Sequence, residues 1–471
     1  MTSFKYLIDV GRSRLIRVNI EGSGVVYEVI EVNWKRVPAA LSAAFVGVLG
    51  LAACGNQSES SDNAASGGDK QVTITVFDVF ASEDPQSKYV YEYADAFMEQ
   101  NPNVKVEITA IAVNDVFTKL AAMATDPSSV PTLYYTSGDQ VPSLFALGFT
   151  EDLTSHIDED VASNFGTGVL EAARLDEAIS FYPLAVQPLG ILYRSDHYAA
   201  EGLKEPTTWE EFLANAKALT GKNEEGNDRA GFSMVGSNNS SGQSRFLSYL
   251  WSNCLNVVAQ DADGNWTTDA DSPEFLKAFS FWTAMNEPEK VVPTGITSVD
   301  YPTAANYFSM GLADMMMTGP NALGIAYAAN PDLEGNVGSF PIPGSCPATQ
   351  LTAEGFALSA HASDDEKKAA MDYLNFFASN DPELMFWQSS GKIPATVSGQ
   401  EAEFLQGDDY AGYLKTIADG NTVPTINFPG MAAVKTAVGD AYSAVFSGEA
   451  TNEEAVEALK KEIDQIIEEN K

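Results

Sequence analysis

Residues 71–135 switch repeatedly between two periodicities, and that alternation leaves few folds open. Val72, Ile74 and Val76 alternate with Thr73 and Thr75, the two-residue repeat of a half-buried strand. Tyr89, Tyr93, Ala96 and Phe97 then recur at helical spacing, and Asn101–Pro102–Asn103 stops that helix. Val104–Ile108 alternates again. A second helix is expected near 114–124, and the apolar run Leu133–Tyr135 reads as a third strand. A βαβαβ order with right-handed crossovers predicts an α/β fold with doubly wound, mostly parallel sheets. At 471 residues the chain is too long for one ordinary core, so two lobes are expected.

The same grammar continues downstream. Thr208 and Glu211, Ser363 and Glu366, and Thr451 and Glu454 each have capping-box spacing ahead of an amphipathic run. Ser272–Pro273 has the N-cap, N1 order of another helix start. The Asp-x-Asp-Gly in Asp261–Asn265 superficially suggests a calcium loop. Trp266 stands where such a loop needs Gly and Ser272 where it needs Glu, so a hairpin turn is predicted instead.

The N-terminal region reads as an address. Trp34–Lys35–Arg36 precedes a nearly uncharged run, Val37–Ala53, too short and too rich in small residues to span a membrane but suited to a signal h-region. It ends in Leu51–Ala52–Ala53–Cys54, which resembles the lipobox of bacterial lipoproteins. That resemblance implies cleavage before Cys54 and attachment of lipid to its sulfur. Residues 54–70, rich in Ser, Asn, Gly and Asp, read as a flexible tether. Residues 1–32 lie upstream of the signal, as either a translation start assigned too early or a non-structural extension. Cleavage would leave two cysteines, Cys254 and Cys346, able either to bridge in an oxidising exterior or to remain buried thiols.

Charge excludes one class of partner. Lys and Arg number 27 against 65 Asp and Glu, and removing residues 1–53 leaves 21 against 61, a net charge of -40. Such a surface repels a phosphate backbone, so nucleic acid is not expected. His156, His197 and His361 have no ligand spacing, and no metal or other cofactor is expected. The chain carries no H-E-x-x-H, G-x-S-x-G or phosphate-loop motif, so it does not read as an enzyme.

Five segments, taken in order, carry a family likeness. They are Phe97 to Val106; Tyr182 to Arg194 with Pro206–Glu211; Phe308–Met316; Phe340–Gly344, near "F-P-x-P-G"; and Ser390–Pro394. Together they resemble the extracellular solute-binding proteins of the sugar-binding, maltodextrin-binding-like type. The resemblance implies a periplasmic-binding-protein-like fold whose two α/β lobes, joined by crossing hinge strands, close on a ligand. It divides the chain into residues 72–183 with 355–400 as one lobe and 187–350 with 401–471 as the other. It also implies a carbohydrate ligand, ABC permease subunits as partners, and a monomer anchored at the outer face of the membrane through Cys54. Another small neutral or cationic solute, or a surface glycoside hydrolase, are the alternative readings.

Sugar sites combine aromatic faces with planar polar groups, and in α/β sheets they lie just beyond the strands' carboxyl ends. After the first strand come Asp78, a candidate hydroxyl partner, and Phe80, a candidate stacking ring. By resemblance, Asp139 falls on a ligand carboxylate position, Gln140 where relatives often place a basic group, and Gln187 where an acidic group is typical. Thr136 and Asn321 stand where maltodextrin binders place Trp, and Met431 replaces a third aromatic. A long glucan is therefore not expected, and a smaller or more hydroxyl-directed carbohydrate is. Phe77, Phe80, Trp251, Phe356 and Trp387 are candidate compensating rings, though core packing accounts for each as well. The polar stretch 236–245, with Gln243 and Arg245, reads as a solvated turn or a hydrogen-bonding wall, and few basic residues in these loops argue against an anionic ligand.

Overall fold

A computed structural model describes the strands at 4–9, 14–21 and 24–31 and, apart from short gaps, residues 71–470. The signal segment, Cys54 and the tether lie outside the described residues. Phe4–Asp9, Arg14–Glu21 and Gly24–Glu31 form an antiparallel meander, where the sequence suggested either a translation start assigned too early or an extension without structure. Among the described residues no helix is long and apolar enough to cross a membrane.

The body beyond residue 68 is a mixed α/β fold with two separate main sheets. The larger has six strands, in the order Ile393–Pro394, Tyr182–Gln187, Thr352–Leu358, Leu133–Ser137, Val72–Asp78, Val104–Ala110. Val72–Asp78 runs parallel to both Val104–Ala110 and Leu133–Ser137, as the βαβαβ pattern requires. Beyond Leu133–Ser137 every pairing is antiparallel. The smaller sheet sets Gly190–Arg194 antiparallel between Met315–Thr318 and Val337–Phe340. The expectation of mostly parallel sheets is thus corrected: strands that arrive from distant sequence are free of the βαβ crossover that enforces parallel pairing.

Tyr182–Gln187 belongs to the large sheet and Gly190–Arg194 to the small one, so the chain crosses between them at Pro188–Leu189. On the large sheet, helix Ser87–Gln100 packs Tyr93 and Phe97 against Tyr373 and Phe376 of helix Asp364–Phe377, with ring centroids 4.8–6.1 Å apart. Around the small sheet, Trp209, Phe212, Phe246, Tyr249 and Trp282 build a second aromatic core. The C-terminal helices join that core: Tyr442 meets Phe246 at 5.7 Å, and Thr283 donates to Asn452 Oδ1 at 2.7 Å. Helix Asp408–Ala418 lies tight on the small sheet because residue 412 is Gly. A Cβ there would stand 2.4 Å from the backbone of Phe340. Cys254 and Cys346 form a disulfide across 92 residues of chain.

Candidate ligand-binding site

The crossing point carries a cavity of about 230 Å³. Gln187 ends its strand opposite Thr352, and both side chains line the cavity. From the small sheet, Gly319 and Asn321 follow the strand Met315–Thr318 into helix Asn321–Ala329. The approach is close: a Cβ at Gly319 would stand 3.0 Å from Asn321 Oδ1 and 3.4 Å from Gln187 Oε1. The cavity therefore opens at the carboxyl ends of strands from both sheets, where α/β folds bind ligands.

Leu189 adds an apolar side chain at the crossing, and three further side chains line the wall. Tyr301 opens helix Tyr301–Ser309, and its hydroxyl accepts from Asn321 Nδ2 at 3.1 Å. Ser241 and Arg245 come from helix Ser240–Ser252. Arg245 is only 6% exposed; its Nε donates to Met317 O at 2.6 Å and its Nη1 to Ser241 O at 3.0 Å. Its guanidinium also lies 5.0 Å from the Tyr301 ring. Burial pushes Arg245 down to about 10, partly offset by the nearby phenols of Tyr301 and Tyr413, so it stays charged at neutral pH. The polar stretch 236–245 is thus no solvated turn at its end. Gln243 and Arg245 are buried in a helix.

Behind the wall lies a buried polar chain. Gln187 Nε2 donates to Glu354 Oε1 in a short hydrogen bond, and Glu354 Oε2 pairs with Lys392 Nζ at 3.1 Å. Lys392 Nζ sits 4.4 Å from the centre of the Phe80 ring. Gln187 is thereby oriented by an acid.

Of the residues expected from sequence, Gln187 and Asn321 meet in the cavity, and the other described ones are placed elsewhere. Asp78 is 2% exposed, and its Oδ1 accepts from the backbone N–H of Phe80 at 2.7 Å and of Ala81 at 3.2 Å, so it holds a turn. Phe80, Phe356 and Trp387 are fully buried and pack on one another with Tyr135 and Phe386, leaving no face for a sugar. Thr136 is sealed in the large sheet opposite Gly355. Trp251 lines a different cavity, beside the Cys254–Cys346 bridge. Gln140 Oε1 is buried and has no partner among the described residues. Asp139 lies outside the described residues. Tyr301 is not among the residues the sequence suggests, whereas Ser241 and Arg245 lie in the stretch 236–245 that reads as a solvated turn or a hydrogen-bonding wall, and both line the cavity.

Residues 81–383 match the family model for bacterial extracellular solute-binding proteins. The chain belongs to that family. Its members bind substrates and are not enzymes, and the family's extracellular character places the protein outside the cytoplasm. A Brucella abortus protein named as a binding protein is 22% identical over 410 residues, covering 84% of this chain and 93% of its own. Among solved structures, maltose-bound MalE3 of Thermotoga maritima is 24% identical with a TM-score of 0.69, covering 83% of this chain and 99% of its own. An ABC transporter solute-binding protein of Thermotoga lettingae with bound α-D-tagatose is 19% identical with a TM-score of 0.69, covering 85% and 100%. These likenesses show the two-lobed periplasmic-binding-protein-like fold.

Proposed function

We propose that this solute-binding protein captures a small carbohydrate and presents it to an ABC importer, held at the membrane through a lipid on Cys54. The observation that carries the reading is the cavity where the chain crosses between sheets. Its wall offers the planar amides of Gln187 and Asn321, the hydroxyls of Ser241, Tyr301 and Thr352, and the guanidinium of Arg245. Groups of this kind pair with sugar hydroxyls, and the Tyr301 ring can cover an apolar ring face. At about 230 Å³ the cavity falls below the roughly 300–1,000 Å³ of sites for drug-sized ligands, which fits one or two sugar rings and not a long glucan. Solved relatives of the same fold hold maltose and tagatose, which agrees with this class. We place the two lobes at 72–183 with 355–400 and at 187–350 with 401–471, and count Asp139 among the ligand contacts by resemblance.

Thermal unfolding of the cleaved chain across a panel of mono- and disaccharides tests the reading. At least one saccharide should raise the melting temperature without yielding product, and should compact the molecule in small-angle scattering. Indifference to every saccharide in both measurements overturns it. Labelling with radioactive palmitate, lost in Cys54→Ala, tests the anchor.

A further inference from the structure

Among the described residues, Arg245 is a buried cation without a carboxylate partner. The Lys392 charge near the site is taken by Glu354 at 3.1 Å. Arg245 spends Nε on Met317 O and Nη1 on Ser241, while among the described residues Nη2 has no hydrogen-bond partner. The groups that act on it electrostatically are two phenols, Tyr301 and Tyr413. Burying an ion costs several kcal/mol unless it is paired, and natural cores rarely leave a guanidinium without a counter-ion. The side chain is 6% exposed and lines the cavity. Its place is held by backbone carbonyls of two elements, so the charge is positioned before any ligand arrives.

We propose that the captured solute is an acidic sugar whose carboxylate is received by Arg245 Nη2, with Gln187, Asn321 and Tyr301 left to read the hydroxyls. The proposal rests on the carbohydrate reading and adds the charge of the ligand. A carboxylate fits better than a phosphate ester, because one guanidinium supplies one positive charge and the chain carries a net charge of -38 that opposes a dianion. It also reverses the expectation, drawn from the scarcity of basic residues in the loops, that the ligand is not anionic: the single base that counts lies inside a helix. Guanidinium–carboxylate contacts are charge-assisted and directional, which makes the acid group the main source of selectivity.

Calorimetric titration of the cleaved chain with matched pairs decides it: galacturonate against galactose, glucuronate against glucose, gluconate against glucitol, with succinate as a carboxylate that is no sugar. At least one acid should bind about tenfold or more tighter than its neutral partner. In Arg245→Gln that ratio should fall towards one. Arg245→Lys, which keeps a buried cation but loses the fork, should retain part of it, and its unfolding curve reports whether the helix still packs. Neutral sugars binding as tightly as their acids would overturn the proposal and leave the carbohydrate reading standing. Succinate binding with no saccharide bound would support Arg245 as a carboxylate receptor and overturn the carbohydrate reading. No binding by any member of the panel would overturn both.

Discussion

Lys392 Nζ and Glu354 Oε2 stand 3.1 Å apart with side chains about a tenth exposed, and Glu354 holds Gln187 with its other oxygen. A buried pair of this kind is costly to break, because the remaining charge keeps its desolvation penalty and loses its partner. Lys392→Met alone should therefore destabilise the protein by about 3–5 kcal/mol. The double change Lys392→Met with Glu354→Leu should cost less than the sum of the singles. Denaturant unfolding of the four proteins gives the coupling energy directly, and additive single effects would show that the pair does not act as a unit.

The Gln187 amide has its own expected signature. Its Nε2 is committed to Glu354, which turns Oε1 towards Gly319 and the cavity. Gln187→Ala should weaken binding of whichever saccharide the thermal screen finds by about 0.5–1.5 kcal/mol, the worth of one neutral hydrogen bond. The variant also leaves a Glu354 oxygen short of a donor, so a small loss of stability should accompany it. Calorimetry reads the first effect and thermal unfolding the second.

Local signals were legible in the sequence because they act over a few residues. Thr208, Ser363 and Thr451 all form complete capping boxes, and Ser272 caps a helix with Pro273 in its first turn. The Asp261–Asn265 turn is the tip of a hairpin between Ala259–Gln260 and Trp266–Thr267, with Asp261 Oδ1 accepting from the backbone of Asp263 and Asn265. Val72–Asp78 pairs in parallel with Val104–Ala110 and Leu133–Ser137, as their spacing required.

Long-range placement was not legible. Gln187 and Asn321, expected by family likeness, line the cavity. Position after a strand suggested Asp78 as well, and its carboxylate closes a turn. A strand's end says where a side chain begins, not whether the next backbone N–H groups will claim it. His197 makes the same point: it lies 2.7 Å from Asp314, a fully buried carboxylate that also pairs with Arg229, and three such separated residues leave no spacing to read. Residues 236–245 read as a solvated turn or a hydrogen-bonding wall because they are rich in Ser, Asn and Gly; in the structure Asn239 caps a helix through Gly242 N–H and carries Arg245 inward.

The Cys254–Cys346 bridge ties the end of helix Ser240–Ser252 to the segment after Val337–Phe340. It closes a long loop in the small-sheet region, so its main effect should be on the unfolded chain. Removing it in Cys254→Ala with Cys346→Ala should cost about 2–5 kcal/mol. Denaturant midpoints of the oxidised protein and the double variant measure that loss. A mass difference of two hydrogens between native and reduced protein reports the bond itself.

Asp300 ties acid stability to the site. Its Oδ1 accepts from Thr303 N–H at 2.9 Å and so caps the helix that begins with Tyr301, one wall of the cavity. The Thr303 side chain, and then its backbone N–H, hold the Asp300 carboxyl below the usual carboxylate range. A carboxyl lowered by folding stabilises the native state above its unfolded pKa, and that contribution is lost as pH falls through the lower folded value. The Asp300 contribution should therefore be whole at neutral pH and fade below about pH 4, the ordinary carboxylate pKa. Asp300→Asn keeps a capping oxygen without a titrating group, so its stability relative to wild type should rise as pH drops through that range. Asp300→Ala removes the cap and should cost about 0.5–2 kcal/mol at neutral pH. Because Tyr301 takes its position from the first turn, Asp300→Ala should also weaken ligand binding, whereas Asp300→Asn should not. Parallel thermal scans from pH 3 to pH 7, in steps of about half a unit, with calorimetry at neutral pH, separate the cap from its charge.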